Sequence, residues 1–176
     1  MKKVLFLDFS ETLYSVSGVF SDTMSFLDKV KDEYVLVIIA DEDTKELEEK
    51  MNSFGITKYF ALVFSPKDYG MKKPDHKLVN VALALVKDKT GEDVSKNDCF
   101  LLGDRPDKDI KMGNMAGIRT IRVKRGAYAY LEPEYDEEKA NYTVQTLKDA
   151  LEILLPKVKS EKKAVRKKIM KVKKKR

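Results

Sequence analysis

The chain reads as short apolar runs alternating with segments whose apolar residues recur every three or four positions. The first run, Val4-Leu5-Phe6-Leu7, ends on Asp8 and passes into Phe9-Ser10-Glu11-Thr12-Leu13. Such a run closed by a carboxylate predicts a buried strand that delivers Asp8 to the end of a sheet. Taken alone, this stretch also allows Asp8 to do no more than begin a turn. Further strands are predicted over 34–40, 61–64, 99–102 and 119–123. The run 34–40 is too continuously apolar to be half exposed and should be an inner, parallel strand.

Between the runs lie helical patterns with legible starts and stops. Asp22 can cap a helix to Lys31 with Met24, Leu27 and Val30 on one stripe. Asp43 and Glu46 make a capping-box-like start for a helix carrying Leu47, Met51 and Phe54, stopped by Gly55. Pro74 opens a helix to about Asp88 with a wide apolar face, and Pro106 opens another to Ala116 with Gly117 as its stop. Thr146 caps a last helix, which Pro156 ends. Residues 13–21 read as a short hairpin around Ser17-Gly18, residues 124–141 as irregular, and Tyr142-Thr143-Val144 as a short additional edge strand. The alternation predicts an α/β fold: a doubly wound, Rossmann-like, mainly parallel five-stranded sheet with helices on both faces, occupying residues 1–156.

Composition adds few constraints to the body and one to the tail. At 176 residues and 43% hydrophobic content, one domain with a sizeable core is expected. The first strand begins almost at once, with no room for a signal peptide, and no apolar run approaches a membrane-spanning length, so a cytoplasmic protein is expected. The single cysteine, Cys99, falls in a predicted buried strand and should pack as a small hydrophobe. The net charge of +6 hides an asymmetry: residues 157–176 hold twelve of the 35 Lys and Arg but one of the 29 acids, so the body is acidic. The spacing of Val158, Val165, Ile169 and Val172 would suit a basic amphipathic helix on an anionic partner, with self-repulsion keeping the tail disordered when alone. Nucleic acid is the commonest such partner; a membrane surface, the protein's own acidic body and solvent are the alternatives.

In doubly wound sheets ligands bind beyond the carboxyl ends of the strands. Here those ends carry Asp8, Asp41, and Asp104 with Asp109. Carboxylates gathered at one edge repel each other unless a cation lies among them, and oxygen ligands without histidine or cysteine suit Mg²⁺ better than zinc. Lys72, Lys73 and Arg105 on neighbouring loops could bind an anion that such a metal helps to hold. His76, in a helix's first turn, reads as a surface residue, and the basic, aromatic segment Arg122 to Tyr130 as an ordinary loop or a contributor to substrate recognition.

Four pieces in order complete the pattern: Asp8 with Thr12-Leu13, Gly70-Met71-Lys72-Lys73-Pro74, Gly103-Asp104-Arg105-Pro106-Asp107-Lys108-Asp109, and Asn114-Met115-Ala116-Gly117-Ile118. In this order and spacing the chain resembles the haloacid dehalogenase (HAD) superfamily over roughly residues 1–155. The resemblance implies that Asp8 is a nucleophile forming an aspartyl-phosphate. It implies that Asp8, the carbonyl of Ser10 and Asp104 hold Mg²⁺ with support from Asp109, and that Lys73 neutralises Asp8 and the phosphoryl oxygens.

Two positions depart from the family pattern. The second aspartate that serves HAD phosphatases as acid and base is Ser10 here, and the Ser or Thr that binds the phosphoryl group aligns with Ala40, beside Asp41. Loss of a general acid typically costs about 10² to 10⁴ in rate, borne mainly by poor leaving groups. The implied function is therefore a Mg²⁺-dependent phosphohydrolase or phosphotransferase favouring good leaving groups. The alternative is a catalytically impaired HAD-fold binding protein, associated with nucleic acid through its tail. The superfamily's ion-pumping ATPases carry Thr at the position of Ser10, which allows slow dephosphorylation; its dehalogenases work without metal and fit the retained Asp104 and Asp109 poorly. The short connections leave no room for an inserted cap domain, implying an open site for a phosphorylated, possibly large substrate. Tyr14, Val16, Val19 and Phe20 could line its entrance or simply pack the hairpin.

Overall fold

A computed structural model describes residues 2–156. Its core is one six-stranded sheet in the order β5-β4-β1-β6-β7-β8. The strands are β1 (Lys3–Leu7), β4 (Tyr34–Ile39), β5 (Leu62–Phe64), β6 (Cys99–Gly103), β7 (Arg119–Val123) and β8 (Tyr142–Val144). All pair in parallel. Tyr142–Val144 is thus a sixth strand beside the five expected, pairing Ile121 with Tyr142 and Val123 with Val144. A separate antiparallel hairpin, β2 (Tyr14–Ser15) and β3 (Gly18–Val19), follows β1.

Alternation along β1 explains the layers. Leu5 and Leu7 face one side, with Leu36, Ile38, Phe100 and Leu102 from neighbouring strands. There they meet α1 (Thr23–Val30), α2 (Thr44–Ser53) and α5 (Leu147–Leu154) through Leu27, Leu47 and Leu147. Val4 and Phe6 face the other side, under α3 (Lys77–Thr90) and α4 (Lys111–Ala116) with Leu78, Val79, Ala82 and Met112. Strands buried on both faces carry apolar residues at every position, hence the continuous runs in sequence. Each such side chain contributes about 1.5–3 kcal/mol by leaving water.

Several helices differ from expectation for local reasons. Asp22 does not cap α1; its carboxylate accepts from Arg125 Nη1 and from the Leu147 backbone N–H, while Thr23 donates to the Leu13 carbonyl at 2.7 Å. That contact turns the buried stripe to Thr23, Phe26, Leu27 and Val30 and leaves Met24 exposed. The third helix begins at Lys77 rather than Pro74, because Asp75 accepts the Lys77 N–H at 2.9 Å and residues before it form a turn. The helix expected from Pro106 divides into a wide π-helical turn, Pro106–Ile110, and the shorter α4. The wide turn presses Asp109 against Gly103, where a Cβ would lie 2.5 Å from that of Asp109. Asp43 and Thr146 do cap their helices, the latter in a reciprocal box with Asp149.

Cys99 is buried, its thiol pushed up to about 12 by burial, and is inert. Among the described residues no helix is long and apolar enough to cross a membrane. The basic tail and its expected nucleic-acid contact lie outside the described residues.

The sheet also positions the site. The chain runs outward from β1 to β4 and β5, then returns to β6 on the other side of β1, so the winding direction reverses between β1 and β6. Open parallel sheets form their binding crevice at that reversal.

Close packing behind the crevice is testable. A Cβ on Gly113 would meet Thr120 Cγ2 at 2.5 Å, and Thr120 is held by Asn114 and Asn141 through its hydroxyl. Gly113→Val should therefore lower stability by about 1–3 kcal/mol. Urea unfolding measures it, and an unshifted midpoint would show that α4 does not press on β7 as described.

Candidate active site

Asp8 leaves the end of β1 with its backbone N–H donating to the Leu102 carbonyl of β6 at 3.0 Å. Buried Phe9 and Leu13 anchor the following loop on either side of Ser10 and Glu11. Thr12, fully buried, directs its hydroxyl between Asp8 Oδ2 at 3.0 Å and Asp104 Oδ1 at 3.3 Å. One hydroxyl proton can satisfy one of these at a time.

Asp104 follows β6, and Asp109 comes from the π-helical turn. Lys73, on the loop between β5 and α3, joins them: its Nζ lies 2.6 Å from Asp8 Oδ1 and 2.6 Å from Asp109 Oδ1, with 3% of its side chain exposed. The other Asp109 oxygen accepts the Arg105 N–H at 3.1 Å. Asp104 Oδ2 is buried and has no hydrogen-bond partner.

Three carboxylates face one ammonium here, and the balance of charge is negative. Burial, then the charges of Asp8 and Asp109, push the Asp104 carboxyl up to about 8. Burial and Asp8 raise Asp109 to about 6 against the pull of Lys73. Burial alone would lower Lys73, but Asp109 and Asp8 outweigh it and hold the ammonium well above its ordinary value. Oxygens of Asp8, Asp104 and Asp109 lie within 4.8 Å of one another. With the unpartnered Asp104 Oδ2 among them, this donor set fits a hard divalent cation.

A cavity of about 290 Å³ opens above these groups. Asp8, Ser10, Lys73, Asp104, Arg105 and Asp109 line it, as does Asp41. Ala40 does not: it is fully buried in the apolar layer beneath. Asp41 is already engaged, accepting the Lys73 N–H and Lys108 Nζ, both at 3.2 Å. Arg105 is gripped through two nitrogens by Asp107, and its guanidinium stacks 4.4 Å from the Tyr128 ring. Lys72 is exposed, and neither it nor His76 reaches the cavity wall.

Of the two readings of the hairpin residues, packing is the one seen, and none of Tyr14, Val16, Val19 and Phe20 is in the cavity wall. Tyr14 packs against Phe9 and Phe54, Val16 is fully exposed, and Phe20 lies under the Arg125 guanidinium at 4.0 Å. In their place the wall includes Glu11, Glu42, Glu46, Lys67, Lys108 and Tyr128. Of these, Glu11 and Lys108 stand inside the motif-like stretches and were accessible to sequence reading. Tyr128 arrives by long-range folding of the segment after β7.

A protein-family model described as haloacid dehalogenase-like hydrolase matches residues 3–123. The chain is 32% identical over 119 residues to the glyceraldehyde 3-phosphate phosphatase of Methanocaldococcus jannaschii, covering 68% of this chain and 48% of that protein. It is 31% identical over 101 residues to the phosphoserine phosphatase of Thermus thermophilus, covering 57% of this chain and 36% of that one. The match thus spans half or less of these curated relatives. Among solved structures, an uncharacterized protein from Listeria monocytogenes serotype 4b superposes with a TM-score of 0.73 at 21% identity, over 87% of this chain and 97% of that one. The HAD-hydrolase YfnB from Bacillus subtilis, solved bound to magnesium, gives 0.68 at 19% identity, over 78% of this chain and 57% of that one. These structures share the fold. With the matched region running from β1 through β7, and so across every residue of the carboxylate and lysine cluster, the chain belongs to the haloacid dehalogenase-like hydrolase family.

Proposed function

We propose that this protein is a Mg²⁺-dependent phosphohydrolase or phosphotransferase of the HAD type, working through an aspartyl-phosphate on Asp8. The observation that carries the reading is Asp8 Oδ1 held 2.6 Å from the buried ammonium of Lys73, beside the Asp104 and Asp109 carboxylates at the sheet's crevice. Such a nucleophile is positioned, not free to rotate: Thr12 holds one oxygen and Lys73 the other. The curated relatives named as phosphatases support the same class of reaction.

Asp8, Asp104, Asp109 and the carbonyl of Ser10 would hold the cation. When bound, it would offset the cluster's negative charge and draw electron density from the phosphoryl oxygens. In the first displacement an Asp8 oxygen attacks phosphorus while the bond to the leaving oxygen breaks, transferring the phosphoryl group to the carboxylate. In the second, water attacks phosphorus and the Asp8 carboxylate departs, releasing phosphate and one proton. Lys73, aimed at Asp8, steadies the charge passing between carboxylate and phosphoryl oxygens throughout.

Ser10 lines the cavity where a proton donor for the leaving group would be needed, and its hydroxyl is far too weak an acid for that task. The preferred substrates are therefore acyl phosphates, anhydrides and activated esters. Only the β2–β3 hairpin stands between β1 and α1, and the cavity is open, which supports a capless site. Asp41, Arg105 and Lys108 border it as substrate contacts, with Ala40 supplying space and no hydroxyl.

Phosphate release should require Mg²⁺ and Asp8: chelator or Asp8→Asn should abolish it across a panel of acetyl phosphate, pyrophosphate and simple esters. Silence from folded wild-type protein over that panel would overturn the reading. Ser10→Asp should raise turnover of an alkyl phosphate by about 10² or more and leave acetyl phosphate nearly unchanged. Equal effects on both would show that Ser10 does not stand at the proton-transfer position. Above pH 8 and without metal, where the Asp104 carboxyl is ionised, Asp104→Asn removes a repelling buried charge and should raise stability by about 1 kcal/mol, a Tm gain of about 2–4 °C. Mg²⁺ should stabilise wild type and not this variant, whereas a metal-induced gain retained in Asp104→Asn would exclude Asp104 as a ligand.

A further inference from the structure

The segment after β7 folds back onto the site and is fastened to both of its acidic loops. Arg122, almost fully buried in the sheet, donates from Nε to the Asp104 carbonyl at 3.1 Å and from Nη2 to the carbonyls of Tyr128, at 3.2 Å, and Leu131. Arg125 bonds the Thr12 carbonyl and Asp22 Oδ1, the latter at 2.8 Å. Glu11 completes the attachment by accepting the Ala127 N–H through Oε2 at 2.9 Å.

The last contact is built at a cost. Among the described residues Glu11 is the one non-glycine with a positive φ, at 60°. Such a conformation costs on the order of 1 kcal/mol or more for a residue with a side chain and persists where surroundings enforce it. Its partner turn is shaped to match: a Cβ on Gly126 would lie 2.0 Å from Glu11 Oε2, and Gly126 itself has φ +67°. A carboxylate in a strained loop and a turn without side-chain bulk are thus fitted to each other.

The turn presents Tyr128 to the cavity. One face of the ring is taken by Arg105, whose guanidinium Asp107 fixes in orientation, and 39% of the residue stays exposed at the cavity wall. Because Asp107 already engages Arg105, the pair offers a flat polarised surface more than a free charge.

We propose that Gly126–Tyr128 forms the leaving-group wall of this site. Tyr128 stacked on Arg105 is a platform for a planar, unsaturated leaving group, and Glu11 is the positioning residue that holds the platform in place. The substrate class is accordingly a phosphate carried on an aromatic ring. This rests on the reading that the Asp8 cavity takes a phosphoryl group.

The test uses the full-length Asp8→Asn protein with Mg²⁺, so that binding is read without turnover, with phenyl phosphate and inorganic phosphate as probes in calorimetry. Phenyl phosphate should bind about fivefold or more tighter than phosphate, on the scale of ring stacking. Adding Tyr128→Leu should erase that preference and leave phosphate affinity unchanged. Glu11→Gln, which keeps an acceptor oxygen for Ala127, should retain the preference, and Glu11→Ala should lose it. Equal affinity for the two probes, equal weakening of both by Tyr128→Leu, or binding of neither overturns the proposal. Preference for phenyl phosphate that depends on Tyr128, in a protein whose wild type releases no phosphate, would sustain the wall while removing the catalytic reading.

Discussion

Charge balance at the end of two adjacent strands is the constraint on which the site depends. β1 and β6 are neighbours in a sheet buried on both faces, so the groups that follow them emerge side by side in a weakly polar setting. Asp8, Asp104 and Asp109 are then forced to within 4.8 Å. Burial first, and like charges at such range second, push the Asp104 and Asp109 carboxyls up. Lys73 relieves part of the repulsion by bridging Asp8 and Asp109, but reaches Asp104 with neither of those bonds. The uncompensated oxygen of Asp104 is where a cation would relieve the remainder.

The same problem recurs one layer out, where loops carry buried carbonyls that lack sheet partners. There the chain uses arginine. A guanidinium has five donors in a fixed plane and can satisfy several carbonyls from different loops at once, which an ammonium on a flexible stem does poorly. Arg122 ties the Asp104 carbonyl to those of Tyr128 and Leu131; Arg125 ties the Thr12 carbonyl to Asp22. The nucleophile loop, the acidic loop and the segment after β7 are in this way one connected polar network around the cavity. That network adds to the apolar anchoring of the loops by Phe9, Leu13 and Ile110.

Legibility in the sequence follows from how local each determinant is. Strands covered on both faces announce themselves as continuous apolar runs, and the acids at their ends can be read off directly. Asp8, Asp104 and Asp109 are of this kind, and Lys73 follows from its loop. Met24 shows the limit: its helical phase looked buried, but a hydrogen bond from Thr23 to Leu13, set by tertiary contact, rotates the stripe toward Phe26. β8 has one buried residue in three, so its place in the sheet depends on β7 being there to pair with. Tyr128 was legible only as a member of the basic, aromatic segment 122–130, for the same reason. Its position in the cavity wall is fixed by Arg122, whose own partners are separated from it by up to 18 residues. Glu11 stands in the legible stretch after β1, but its left-handed backbone does not show in the sequence, since such a conformation favours glycine.

Ser10 decides what kind of chemistry the proposed mechanism would favour. An absent general acid raises the first barrier by about 3–5 kcal/mol for a leaving group that must be protonated, and by little for one that departs as a stable anion. The second displacement is affected differently. Its leaving group is the Asp8 carboxylate, which needs no proton, but its nucleophile is water, which no neighbouring base in the Ser10 position activates. In the proposed mechanism a good substrate would therefore pass the first step quickly and wait at the second, so that the phosphorylated enzyme would accumulate. In an open cavity that delay would give other acceptors time to compete with water for the phosphoryl group. An alcohol held against the cavity wall would enjoy the advantage of proximity over bulk solvent. On these grounds the proposed mechanism would slow the second step, and because an alcohol needs the same base as water, only proximity at the cavity wall would turn the phosphoryl group toward transfer.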